Sequence, residues 1–153
     1  MIPGLVDASV RTEVTVSANA YDERTSDGGG CDPDGCEPSK TRDSDLDGNS
    51  RWSCARSLED KTCRLTFEFV NAQDIVEINI AFYKGDERTR TFKVETWDTS
   101  GNTITTEFTS SGETNGFEVF SLGSDETTKF EIFPVSPNTN DWLSITEVGQ
   151  SAR

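Results

Sequence analysis

The sequence predicts an all-β protein, an antiparallel sandwich or barrel, and three observations carry that prediction. From residue 64 onward, apolar and polar residues alternate with period two. The alternating runs are short, and turns rich in glycine, asparagine and serine separate them. No segment shows an apolar stripe at helical spacing. Successive side chains of a strand point to opposite faces, so period two marks a strand with one buried face. Many such strands joined by tight turns pack as two sheets or close on themselves.

The elements follow in order. "EVTVSANA" near the N-terminus is one strand. In "RLTFEFV", Leu65, Phe67 and Phe69 share a face opposite Arg64, Thr66 and Glu68. In "DIVEINIAFY", Val76, Ile78, Ile80 and Phe82 alternate with Glu77 and Asn79, and "RTFKVETW" sets Phe92 and Val94 against Lys93 and Glu95. "NTITTEF", "GFEVFSL", "KFEIFPV" and "WLSITEV" complete the set. The turns between them fall at Asn71–Asp74, Lys84–Asp86, Ser100–Asn102, Ser110–Gly116, Gly123–Glu126 and Ser136–Asp141.

Residues 21–63 break the pattern, being polar, cysteine-bearing and nearly free of strand signal. So long a loop in a compact domain is uncommon unless it is pinned or functional. Four cysteines supply pins. Their spacings are not the C-x2-C of a zinc knuckle, and the chain has no histidine to complete such a site. An even cysteine count in a chain rich in glycine and aspartate reads as two disulfides in a secreted protein. Cys31 with Cys36 and Cys54 with Cys63 are the expected pairs, among the three connectivities that four cysteines allow.

The length of 153 residues fits one domain, residues 1–153. No apolar run approaches the roughly 18 residues of a membrane helix. "MIPGLVDASV" lacks the basic start and long apolar centre of a signal peptide, so a mature secreted domain, or one from a longer secreted protein, is expected. Fourteen basic against 28 acidic residues leave a net charge of −14. That field repels phosphate backbones, which argues against nucleic acid, and it favours divalent cations.

The stretch "TRDSDLDGNSRWSC" raises the cation directly. Asp43, Asp45, Asp47 and Asn49 stand at alternate positions, with Gly48 and Ser50 beside them. The spacing matches the first half of an EF-hand calcium loop, in which oxygen donors alternate and a glycine allows the turn. The second half fails, because the twelfth position is Cys54 and no flanking helices are apparent. The expectation is a structural Ca2+ in a loop embedded in a β domain. Glu147 of the last strand would add a further carboxylate. The bland alternative is a solvated acidic loop.

The residues at "NSRWSC", "INIAFYKGDERTRTFKVETW" and "NDWLSITEV" carry a resemblance. Asp47-Gly48-Asn49-Ser50-Arg51-Trp52-Ser53, then Tyr83-Lys84-Gly85-Asp86-x-Arg88, a turn at Ser110-Ser111-Gly112, and Trp142 to Val148 resemble the discoidin-like domains. These are also called coagulation factor V/VIII type C or galactose-binding-like domains. Within them, the chain looks like the family 32 carbohydrate-binding modules attached to alginate lyases. The match covers about residues 40–149. It implies an eight-stranded antiparallel jelly-roll β-sandwich with one structural calcium. By position, the ion's ligands match Asp47, Ser50 and Glu147, with Asp43 or Asp45 as alternates. The chain departs from the family in its cysteine insertion at 26–39 and in a short spacing from Asp-Gly to Trp.

A polysaccharide or oligosaccharide is the partner this implies, and an acidic, uronate-containing one suits the basic residues. Lys84, Arg88, Arg90 and Lys93 gather in "YKGDERTRTFK", and arginine forks grip carboxylates bidentately. Tyr83, Lys84, Arg88, Arg90, Asn138, Asn140 and Trp142 form the expected ligand set. Trp142 and Trp52 each follow a turn and could present a ring face to a pyranose, with burial in the core as the plainer reading for Trp52. Asp86 and Glu87 stand among the basic residues, so a self-paired hairpin is the competing reading for the cluster.

Catalysis finds no motif. Without histidine there is no imidazole base, and Tyr21 and Tyr83 are the only tyrosines for a lyase site. A non-catalytic module, standing alone or joined to other domains of a larger secreted protein, is therefore expected. A protein- or cell-adhesion domain and a small jelly-roll polysaccharide lyase are the other readings. The loops are mostly glycine, serine, aspartate and asparagine, which argues against insertion into membranes.

Overall fold

The structure, a computed structural model, describes residues 14–19, 21, 31, 35–46, 50–55, 63–123, 126–135 and 142–152. Among these residues the chain forms nine strands: β1 (Val14–Ala18), β2 (Trp52–Ala55), β3 (Leu65–Gln73), β4 (Ile75–Phe82), β5 (Thr91–Trp97), β6 (Thr103–Thr109), β7 (Phe117–Ser121), β8 (Thr127–Pro134) and β9 (Trp142–Ala152). One sheet has the order β1-β3-β8-β5-β6 and the other β2-β9-β4-β7, with every pair antiparallel.

The alternation read from the sequence is what closes the two sheets on each other. Leu65 and Phe67 of β3, Phe92 and Val94 of β5, and Phe130 and Ile132 of β8 are fully buried from one sheet. Ile78 and Ile80 of β4, with Leu143, Ile145 and Val148 of β9, meet them from the other. Phe67 stacks on Phe130 at 4.8 Å, and Phe92 meets Phe120 edge-on at 5.1 Å. Offset and T-shaped pairs of this kind suit the ring quadrupoles.

All eight expected strands are present, and the ninth, β2, lies in the segment that reads as free of strand pattern. The reason is that β2 is buried on both faces, so Trp52, Ser53, Cys54 and Ala55 show no alternation. Trp52 is fully enclosed, as its plainer reading required.

Both disulfides join the expected partners, Cys31 to Cys36 and Cys54 to Cys63, with Cα separations of 5.0 and 5.8 Å. The second ties β2 of one sheet to the residues leading into β3 of the other. A short 3₁₀ turn at Pro38–Arg42 covers the edge of β9 beyond the reach of β2. There the Arg42 guanidinium donates to the Val148 carbonyl at 3.1 Å and to Gln150 Oε1 at 2.7 Å. Donors supplied this way occupy part of an edge that would otherwise invite strand pairing.

Candidate ligand-binding site

At one end of the sandwich four chain segments converge. The β4–β5 connection, residues 83–90, folds as a tight turn in which the Gly85 N–H donates to Phe82 O and the Arg88 N–H to Lys84 O. Lys84 takes the left-handed conformation, φ 53°. Gly85 is needed for a different reason: a Cβ there would overlap the carbonyl oxygen of Thr114 in the β6–β7 loop. The two loops are joined again where Arg90 N donates to Ser110 Oγ at 2.8 Å and Ser110 N to Arg90 O at 2.9 Å. The first residue of β9 enters through Trp142, whose carbonyl accepts from Arg90 Nε at 3.0 Å. The fourth segment is the lead into β2, carrying Arg51.

Tyr83 is the centre of this cluster. The guanidinium carbon of Arg51 lies 4.1 Å from the ring centroid, and Lys84 Nζ and Arg88 Cζ each lie 5.5 Å away. All three fall within the distance at which a cation is drawn to a ring face. Arg90 is nearly buried beside them, and its pKa is lowered by desolvation and by the charge of Arg88. Four cations thus share one corner of a chain whose net charge is −14. The self-paired hairpin does not form: among the described residues neither Lys84 nor Arg88 makes an ion pair with Asp86 or Glu87. Those carboxylates instead help line an adjacent pocket of about 230 Å³, together with Leu46, Phe82, Tyr83, Lys84, Asn115 and Thr146.

Of the expected ligand residues, the structure brings Tyr83, Lys84, Arg88, Arg90 and Trp142 together. Asn138 and Asn140 lie outside the described residues. Arg90 and Trp142 meet through a backbone carbonyl, and the Trp142 side chain is half-buried. Sequence reasoning missed Arg51, Leu46 and Asn115. Arg51 had a signal, since it is one of only 14 basic residues and stands directly before Trp52. Nothing in the spacing showed that it would cross to Tyr83.

The acidic segment lies beside this corner. Asp43 Oδ1 accepts from the Asp45 N–H at 2.9 Å, and its Oδ2 accepts from Ser50 Oγ. Ser44, with φ 64°, turns its N–H onto Glu147 Oε1 at 3.1 Å. Glu147 is 1% exposed, so the sandwich holds a buried carboxylate where the loop crosses β9. Asp43, Ser50 and Glu147 are therefore gathered in one neighbourhood, while Asp45 is exposed and Asp47 and Asn49 lie outside the described residues. Hard oxygen donors of this kind fit Ca2+. Among the described residues there is no group of three or more carboxylates or cysteines close enough to hold an ion by themselves.

Exposed large hydrophobics at Val70, Ile104, Phe117 and Val119 belong to strands, and among the described residues only Leu46 exposes one from a loop. No described helix is long and apolar enough to cross a membrane.

No protein-family model and no curated sequence matches the chain. Solved structures do. The chain superposes with a TM-score of 0.70 at 28% identity on the family 32 carbohydrate-binding module of AlyQ in complex with 4,5-unsaturated mannuronic acid, covering 89% of this chain and 92% of that one. A pectin-binding carbohydrate-binding module matches at 20% identity and a TM-score of 0.69, over 89% and 88% of the two chains. The family 32 module of C. perfringens NanJ, in complex with galactose, matches at 15% identity and 0.66, over 92% and 95%. The chain has the galactose-binding-like β-sandwich of the discoidin-like domains, and it resembles the family 32 carbohydrate-binding modules, including the one in alginate lyase AlyQ.

Proposed function

We propose that the chain is a non-catalytic carbohydrate-binding module that takes an acidic, uronate-containing polysaccharide at the Tyr83 corner. One observation carries the reading: Lys84 and Arg88 stand at the rim beside Tyr83 with no carboxylate partner among the described residues. Clustered like charges raise one another's energy in the free protein, and an anionic ligand relieves that repulsion. The ring offers a face for pyranose C–H groups, and the cations would take the carboxylates. The uronate held by the AlyQ module and the pectin named for the second neighbour support the same ligand class.

Calorimetric titration with trimannuronate, trigalacturonate and galactose tests this. Binding of the acidic trimers that weakens as salt rises, and that falls in Lys84→Ala and Arg88→Ala variants, is the expected result. Equal affinity for galactose and the uronates would remove acidic specificity. A rise in ultraviolet absorbance on incubation with alginate or pectin, the mark of unsaturated uronates, would replace the module with a lyase.

A structural Ca2+ belongs to the proposal. Asp43, Ser50 and Glu147 would hold it, with the neighbouring acidic residues completing six to eight oxygens. The ion would bind the folded loop and not the unfolded chain, and so stabilise it by mass action. Excess EDTA should lower the melting temperature, and an unchanged melt would remove calcium from the account. The two enclosed disulfides support a place outside the cell, since such bonds persist in oxidising compartments.

A further inference from the structure

We infer that Arg51 is a positioning residue of the saccharide site, and that the Cys31–Cys36 insertion serves to hold it there. The inference rests on the reading of the Tyr83 corner as the ligand site. Arg51 is 6% exposed, too enclosed to grip a polymer directly. Its guanidinium nonetheless lies 4.1 Å from the Tyr83 centroid, closer than the 5.5 Å of Lys84 and Arg88. Its other contacts fix it in place. Nε donates to Ser53 Oγ at 2.8 Å, and Ser53 Oγ donates to Ser144 Oγ at 2.7 Å. Tyr83 N donates to the carbonyl of the same Ser144 at 3.0 Å. The ring and the backbone of Tyr83 are thus tied to one short stretch of β2 and β9.

Behind that stretch sit Cys31 and Cys36, two residues of the insertion by which this chain departs from the family pattern. Ser53 N donates to Cys36 O at 3.4 Å, and Cys31 Sγ lies 3.7 Å from the Arg51 carbonyl oxygen. Cys31 and Cys36 are both fully enclosed. A planar guanidinium stacks on an aromatic ring as an ammonium cannot, and it stays charged at any working pH. Arg51 therefore does two things at once: it restricts the Tyr83 ring, and it places a permanent positive charge behind the surface that would meet a carboxylate.

The test uses the full chain with Arg51→Met, which keeps the bulk of the stem, and Arg51→Lys, which keeps the charge and loses the planar fork. Two readouts are taken: the aromatic proton spectrum of Tyr83 without ligand, and affinity for trimannuronate and galactose. Arg51→Met should weaken trimannuronate binding roughly tenfold, about 1.4 kcal/mol, with little change for galactose. It should also shift and average the Tyr83 ring signals. Arg51→Lys should recover part of the trimannuronate affinity while the ring signals stay averaged. Wild-type affinity and wild-type ring signals in Arg51→Met would overturn the inference, as would an equal loss for both sugars. If the wild-type protein binds no trimannuronate, the uronate reading falls by itself, and the ring signals alone decide whether Arg51 orders Tyr83. If Arg51→Met does not fold, the same two readouts on Arg51→Lys decide.

Discussion

Among the described residues an arginine lies 4.1 Å from an aromatic ring centroid at two places, Arg51 on Tyr83 and Arg64 on Phe133. Their surroundings differ. Arg64 lies on the outer face of the five-stranded sheet and donates to Glu95 at 3.0 Å and to Glu131 at 2.7 Å. Desolvation lowers its pKa, and the hydrogen bonds and charges of Glu131 and Glu95 outweigh that and raise it. Thr66 Oγ1 donates to the second oxygen of Glu131, so the group is closed on itself. At the Tyr83 corner Lys84 and Arg88 share the ring, and neither makes an ion pair among the described residues. A cation over a ring is thus common to both places and says little alone. Whether the rim cations beside the ring are paired to carboxylates separates a brace from a receptor.

The largest effect should come from removing the rim cations together. Lys84→Ala combined with Arg88→Ala should cost trimannuronate binding about 2–3 kcal/mol, roughly 30- to 150-fold, with the melting temperature nearly unchanged. Calorimetry beside a thermal melt checks it, and a large fall in stability would make the rim a brace too. Next is Gly85→Ala. The Cβ would push the 83–90 turn off Thr114, and overpacking of this kind costs about 1–3 kcal/mol of stability, read from urea unfolding. Binding should weaken with it, because the turn carries the cations.

Arg64→Ala should do the reverse of the rim variants. It leaves Glu95 and Glu131 opposed in register across β5 and β8 without their shared partner. Because the group is partly open to solvent, the loss should be about 1 kcal/mol, with saccharide affinity unchanged. The smallest effect lies at the far end of β5. Asp98 accepts from the N–H groups of Asn102 and Ser100, each at 2.9 Å, and the Asn102 N–H leads the contacts that lower its pKa. That support is present above the ordinary carboxylate pKa and is lost as pH falls through the lowered one. Acid titration followed by the amide signals of Ser100 and Asn102 should show the turn loosening while the Tyr83 corner is still intact.

The strands were legible because burying one face imposes period two, and Leu65, Phe67, Phe92 and Val94 all landed on the face that alternation assigned them. β2 escaped because a strand covered on both sides carries no period. Tyr83, Lys84 and Arg88 were readable as a local run. Arg51 was not readable as their neighbour, because its approach depends on β2 pairing with β9, a contact between residues far apart in sequence. Glu147 and Ser50 were readable from the acidic loop's calcium-like spacing and fell within the same acidic neighbourhood, with Asp43 the described carboxylate there.

The bond from Cys54 to Cys63 ties β2, the end strand of its sheet, to the residues leading into β3 of the other sheet. Made in a reducing cytosol, the chain would lose this clasp. The rim of β9 from Trp142 to Ile145 could then be bared to a neighbouring molecule's strands, in a region where the Arg42 turn gives no shelter. A host that exports the polypeptide before it folds should yield monomer, and one that does not should yield aggregate that returns to monomer only through denaturant and oxidative refolding.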